Sequence, residues 1–334
     1  MRLILVLPAL VDSVGVGAAS VRANALAELV AWSGRPSRNA DGLDAEIASR
    51  YGIARQSDWP LAAIRAASFG LVTGADYWLA ADPVTLVVGR DEVSFTGIVD
   101  DLASADAGAL VSTLNAHFAA DGIEFMAPRP DAIFARLATA PRLLTHPPAV
   151  TSDRPLRSRL PEGPDAPKFR RWQSEIQMLL HEHPVNVERE KVGSPPVNGV
   201  WFSGGGVLPP RPSPLPAIST YADAGIAVAL AAHGGAPAQP LPLSLAIALE
   251  SASGAELVVV APGSGVTLAR IEHSYAEPAR SAVARGQLSE VSILAQHDGD
   301  AICWRARRPG LWQRMAGRAH RRELGAEIAA ATRK

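Results

Sequence analysis

Short runs of consecutive apolar residues alternate along this chain with stretches whose apolar positions fall three and four apart. Residues 3–7 (LILVL) are apolar without a break, the pattern of a strand covered on both faces. Residues 256–261 (ELVVVA) repeat that pattern and form the clearest buried strand. Strands are also predicted at 77–80, 85–88, 92–95, 123–126, 133–137, 200–202, 290–295 and 301–306. Helical spacing covers 21–31, 43–51, 105–120, 168–183, 222–232, 243–250 and 275–285. The helix at 105–120 carries Leu110, Leu114 and Phe118 on one stripe. The helix at 43–51 stops at Gly52, and the one at 168–183 at Pro184, because a residue before proline is pushed out of the α region. Gly89-Arg90-Asp91 and Asp298-Gly299 read as turns of hairpins.

Strands alternating with helices predict a layered α/β fold, a mostly parallel sheet flanked by helices. The closely spaced strands before residue 100 add an antiparallel part on the N-terminal side. Pro147, Pro148, Pro155, Pro161, Pro164 and Pro167 make residues 140–167 loop material. A soft boundary there divides an N-terminal part, 1–150, from a C-terminal part, 151–334; one continuous core is the alternative. There is no internal repeat.

Composition narrows the classes. The chain has 334 residues, 48% of them hydrophobic, and balances 32 Lys and Arg against 33 Asp and Glu. A net charge of −1 gives no global pull toward nucleic acid or an anionic membrane. No apolar run approaches the roughly 18–20 residues that span a bilayer, and Pro8 and Asp12 interrupt the apolar start, which reads as a buried strand rather than a signal peptide. Cys303 is the single cysteine, so no intramolecular disulfide forms; a buried small hydrophobe in a reducing compartment fits it. A cytoplasmic protein is expected. The arginines of residues 305–322, near Trp304 and Trp312, read as a solvated helix face with tryptophan packed inward.

The most informative stretch is 174–209, SEIQMLLHEHPVNVEREKVGSPPVNGVWFSGGGVLP. Glu175 is a polar position on a mostly apolar helix, which His183-Pro184 breaks. Asn186 and Arg189 begin a short helical turn, and residues 193–198 form a proline-stiffened loop carrying Asn198. A strand then delivers Ser203, Gly204, Gly205 and Gly206. Strand followed by glycines is one way to bring backbone N–H groups to an anion, and Arg189 offers a bidentate fork for phosphate or carboxylate. The residues alone leave the cradle and a plain turn both open. No Gly-Lys-Ser/Thr follows the glycines, Ser203 lacks the nucleophile-elbow pattern, and His181, His183 and Glu188 match no standard metal spacing.

This stretch resembles the archaeal-type cofactor-independent phosphoglycerate mutases of the alkaline phosphatase superfamily. The matching residues are Glu175, His183, Pro184, Asn186, Arg189, Gly193, Pro196, Asn198, Gly204 and Gly206, while Ser174 stands where that pattern has Asn. The whole chain is similar to a bacterial family labelled RpfE-type regulatory protein or phosphoglycerate mutase-like protein, through YWLAADPVTL (77–86), LNAHFAADGIEF (114–125) and QMLLHEHPVN (177–186). The resemblance implies an alkaline phosphatase-like fold and a ligand-binding cleft formed by Glu175, His183, Asn186, Arg189, Asn198, Ser203 and Gly204 to Gly206. The enzymes resembled hold two metals with Asp and His and carry the phosphoryl group on a serine. Here the first strand ends Leu7-Pro8-Ala9 instead of in Asp-Gly, and the strand at 256–261 runs into Pro262-Gly263-Ser264-Gly265. His273 and His297 lack a complete set of ligands. The serine position falls on Ser57, which reads equally as part of the cap of a helix beginning near Pro60.

The expectation is a non-catalytic regulatory protein without metal or cofactor. Its cleft would take a small phosphorylated or carboxylate ligand, or it would meet a protein partner. The alternatives are a mutase or phosphoesterase with a rearranged site using Ser57 or Ser203, and an interaction module without a small ligand.

Overall fold

A computed structural model describes residues 1–17, 23–88, 93–148, 159–212, 217–252, 254–308, 310 and 324–332. The predicted turn at 89–91, the start of the helix at 21–31, the prolines at 213–216 and most of the basic stretch at 305–322 lie outside them. The chain forms two compact units: Met1–Gly52 with Arg211–Lys334, and Ile53–Pro210. The expected boundary near residue 150 falls inside the second.

The first unit is built on a six-stranded sheet. Its strands are β1 (Arg2–Val6), β2 (Ser37–Asn39), β8 (Ile218–Tyr221), β9 (Glu256–Val260), β10 (Glu290–His297) and β11 (Asp300–Arg307), in the order β2-β11-β10-β1-β9-β8. β1 lies parallel between β9 and β10, with Val6 opposite both Val260 and Leu294. That position explains the unbroken apolar run: Leu3 and Leu5 join one core cluster, while Ile4 and Val6 are buried on the other face. Each such side chain contributes about 1.5–3 kcal/mol through burial. β8 adds a further parallel strand. β10 and β11 are antiparallel because only Asp298 and Gly299 join them, both at positive φ, as a two-residue hairpin turn requires; β2 follows antiparallel.

Around this sheet lie α1 (Leu10–Gly17), α2 (Asn24–Trp32), α3 (Leu43–Arg50), α8 (Ile226–His233), α9 (Leu245–Ser251), α10 (Leu268–Arg270), a π-helical segment (Ile271–Ala276), α11 (Glu277–Ala284) and α12 (Leu324–Thr332). The start of α2 has no side-chain cap of its own. Glu272, buried in the π-helical segment, supplies one: its two carboxylate oxygens accept from the N–H groups of Ala25 (2.6 Å) and Leu26 (3.0 Å).

The second unit holds an antiparallel sheet of five strands, β3 (Tyr77–Val88), β4 (Val93–Ile98), β5 (Ile123–Arg129), β6 (Ala132–Leu137) and β7 (Gly199–Val207). β3 pairs with β6 near its start, with β4 near its end and with β7 along residues 77–84. Its side chains alternate. Tyr77, Leu79 and Ala81 join a core with Leu110, Leu114 and Phe118 of α5 (Ser104–His117) and its C-cap, and with Phe169, Trp172 and Ile176 of α6 (Ala166–His181). Trp78 and Ala80 face Ala62, Ala63 and Ala66 of α4 (Leu61–Ser68). Two residues, Glu182 and His183, connect α6 to α7 (Pro184–Lys191).

The α/β expectation therefore needs correction in its finer terms. The first sheet is mixed, the second wholly antiparallel, and the antiparallel part occupies the middle of the chain rather than its N-terminal side. A short apolar run reads alike in either pairing, and the direction is set by connections that periodicity does not encode.

Candidate functional site

Ser57 and the candidate ligand-binding residues of the stretch 175–206 all lie in the second unit. Starting from the helix break, His183 is the N-cap of α7: its Nδ1 accepts from the N–H of Val185 at 3.2 Å. That bond places the ring proton on Nε2, which donates to Thr113 Oγ1 at 3.0 Å. Burial lowers the pKa of His183 from its ordinary value and favours this neutral form. Both ring nitrogens are thereby engaged.

Asn186 is 1% exposed and fully committed. Its Nδ2 donates to the carbonyls of Leu180 (2.7 Å) and Val197 (2.8 Å), and its Oδ1 accepts from the N–H of Val197 (2.8 Å). One amide thus ties the end of α6 to the proline-stiffened loop. Arg189, also buried, donates from Nε to the carbonyl of Pro195 (2.8 Å) and from one Nη to Asp101 (2.6 Å). Asn198 mimics a strand residue, accepting from the N–H of Leu86 and donating to its carbonyl, each at 2.7 Å. Glu175 stands apart on α6, its carboxylate held by Arg171 (3.1 Å) and His117 (3.4 Å).

The glycine run lies within β7 rather than in a turn beyond it. Gly204 has φ +66°, and a Cβ there would sit 3.2 Å from the backbone nitrogen of Ala62. A Cβ on Gly205 would meet Tyr77 Oη at 2.1 Å, and one on Gly206 would meet Pro60 Cα at 2.7 Å. The glycines are spaces into which the start of α4 and a buried phenol pack. Ser203 is a buried strand residue opposite Ala80.

An anion does sit against this strand, and it belongs to the protein. Asp58, 3% exposed, accepts from the N–H groups of Trp59 (2.7 Å), Thr145 (2.9 Å) and Gly205 (3.3 Å), and from the Thr145 hydroxyl. Burial pushes its pKa up from the ordinary carboxylate value, and the bonds from Thr145, Trp59 and Gly205 work the other way. The Tyr77 hydroxyl is raised by burial and by the Asp58 charge. Sequence reasoning passed over Asp58 because Thr145 is 87 residues away, a separation no local spacing reveals. Ser57 next to it is exposed. It does not cap α4, whose first residue follows Pro60 without a side-chain cap.

Among the described residues no group of three or more His, Cys, Asp or Glu is placed to hold a metal ion. His273 pairs with Glu277 at 3.3 Å on the surface of the first unit. No helix of the described residues is long and apolar enough to cross a membrane.

No family model matches this sequence, and no curated protein matches it. Among solved structures the chain is similar to a cofactor-independent phosphoglycerate mutase from Thermoplasma acidophilum, at 15% identity over 92% of this chain and 90% of that one, with a TM-score of 0.41. It is also similar to a protein from Pyrococcus horikoshii, at 12% identity over 92% and 87% of the two chains, with a TM-score of 0.43. These are distant likenesses, and they assign no residue of this chain a role.

Proposed function

We propose that this protein is non-catalytic and acts by binding, in a regulatory role, with residues 175–206 serving as an internal clamp. One observation carries the reading. The polar groups that a ligand would need are bonded to the protein itself: Asn186 to Leu180 and Val197, Arg189 to Pro195 and Asp101, Asn198 to Leu86, and the Gly205 N–H to Asp58. A ligand reaching them would have to break buried hydrogen bonds, at about 1–3 kcal/mol for each group left unsatisfied. The regulatory part of the proposal comes from the family resemblance of the stretches at 77–86, 114–125 and 177–186.

The test is turnover. The full chain, supplied in turn with Mg²⁺, Mn²⁺ and Co²⁺, is expected to show no phosphoglycerate mutase or phosphomonoesterase activity above buffer. Metal-stimulated turnover that disappears in Ser57→Ala or Ser203→Ala would overturn the reading.

A further inference from the structure

The first unit carries a cavity of about 370 Å³ lined by Arg2, Arg50, Ser289, Glu290, Arg305 and Arg307. Its position follows from strand alternation. Arg2 opens β1, Glu290 opens β10, and Arg305 and Arg307 share one face near the end of β11. The opposite face of β11 carries Ile302, Trp304 and Ala306 into the core. Arg50 comes from the last turn of α3, which packs against β10 and β11. The cavity therefore lies at the edge where the parallel strands begin, away from their carboxyl ends, where open α/β sheets usually bind ligands.

Three of the arginines have carboxylate partners. Arg2 pairs with Glu256, Arg50 with Glu46 at 2.6 Å, and Arg307 with Glu290 at 2.7 Å. Arg305, opposite Ser292, has no carboxylate within ion-pair distance among the described residues. Four guanidinium groups thus face three carboxylates, an excess of one positive charge in an open, solvent-facing concavity, with the Arg305 charge also acting on Glu46. Guanidinium forks match the oxygens of phosphate and hold them bidentately. Among the described residues no aromatic or aliphatic side chain lines the space, so they offer a nucleotide base no stacking surface.

We propose that this cavity binds a compact phosphate-bearing anion, an inorganic polyphosphate or a small phosphate ester, with Arg305 and Arg50 as its principal contacts. The proposal concerns a different unit from the clamp and does not depend on the absence of turnover.

The experiment is calorimetric titration of the full chain at low ionic strength with pyrophosphate, glycerol phosphate, citrate and ATP. Pyrophosphate or glycerol phosphate should bind, more weakly as salt rises. Whichever binds more tightly identifies the source of the phosphate group. ATP should bind no more tightly than pyrophosphate. Arg305→Gln changes an exposed side chain, so the fold should be retained, checked by circular dichroism, and affinity should fall by about tenfold or more. Arg305→Lys, which keeps the charge without the fork, should fall between the two. Lack of binding by both phosphate compounds, or equal binding by wild type and Arg305→Gln, would overturn the site. Citrate binding as tightly as pyrophosphate would overturn the phosphate class.

Discussion

Gly206 and Gly108 show how differently one residue type is used in this chain. Beside Gly206 the ring and backbone of Pro60 occupy the space of a methyl group, and a Cβ would come within 2.5 Å of Pro60 Cβ. Neither is the free end of a flexible side chain, so something must shift. Gly206→Ala is expected to cost about 3 kcal/mol. Gly108, inside α5, has nothing within 4 Å of its added Cβ and an ordinary φ. Gly108→Ala should stabilise the protein by up to about 1 kcal/mol, through helix propensity. Denaturant midpoints of the two variants would check both signs; a neutral Gly206→Ala would show that the strand and α4 are not in close packing. The sequence marked Gly204 to Gly206 as special but left the reason ambiguous. An anion and a proline ring both call for glycine, and the proline lies far outside any local window.

At the scale of elements, what was legible and what was hidden separate along physical lines. The buried strands β1 and β9 announced themselves through unbroken apolar runs. β3 was harder. Two short strands were expected where a single one runs from Tyr77 to Val88 through Pro83. Proline has no N–H to offer the ladder, but its φ suits an extended chain, and the Pro83 carbonyl accepts from Val99 at 2.8 Å. α1 was missed because Pro8 and Asp12 looked like interruptions, whereas the helix begins after the proline and takes the aspartate in its first turn. The cap of α2 was invisible because it comes from Glu272, about 246 residues on. Removing it by Glu272→Ala leaves two N–H groups at a buried helix start without acceptors. A loss of about 2 kcal/mol is expected, read as a lower urea midpoint with an unchanged slope. An unchanged midpoint would mean that water replaces the carboxylate there.

For the whole molecule, the units do not follow the chain order that composition suggested. The proline-rich stretch near residue 150 looked like a linker, yet its described flanks belong to one unit: Leu144 and Glu162 exchange backbone hydrogen bonds, each at 2.9 Å. Among the described residues, these core clusters of the second unit draw on residues 62–207, with Leu208 packed against them, and include none from outside. Residues 53–210 expressed alone should therefore unfold cooperatively on heating, with a far-ultraviolet spectrum rich in strand. A featureless melt would show that the unit depends on the rest of the chain. Gly52 and Pro212, on either side of the insertion, lie within 3.8 Å of each other measured from a Cβ built on the glycine. Such closely spaced ends are what a domain inserted into a loop requires.

The place of β1 between β9 and β10 has a consequence for synthesis. As the chain leaves the ribosome its first strand has no neighbours, because both are encoded in the last third of the sequence. The inserted unit has every partner in hand once residue 210 has emerged, and so is free to fold first, while the apolar opening LILVL waits exposed for about 80 further residues at synthesis rates of roughly 5–20 residues per second. During those seconds β1 is open to capture by a chaperone or by a neighbouring nascent chain.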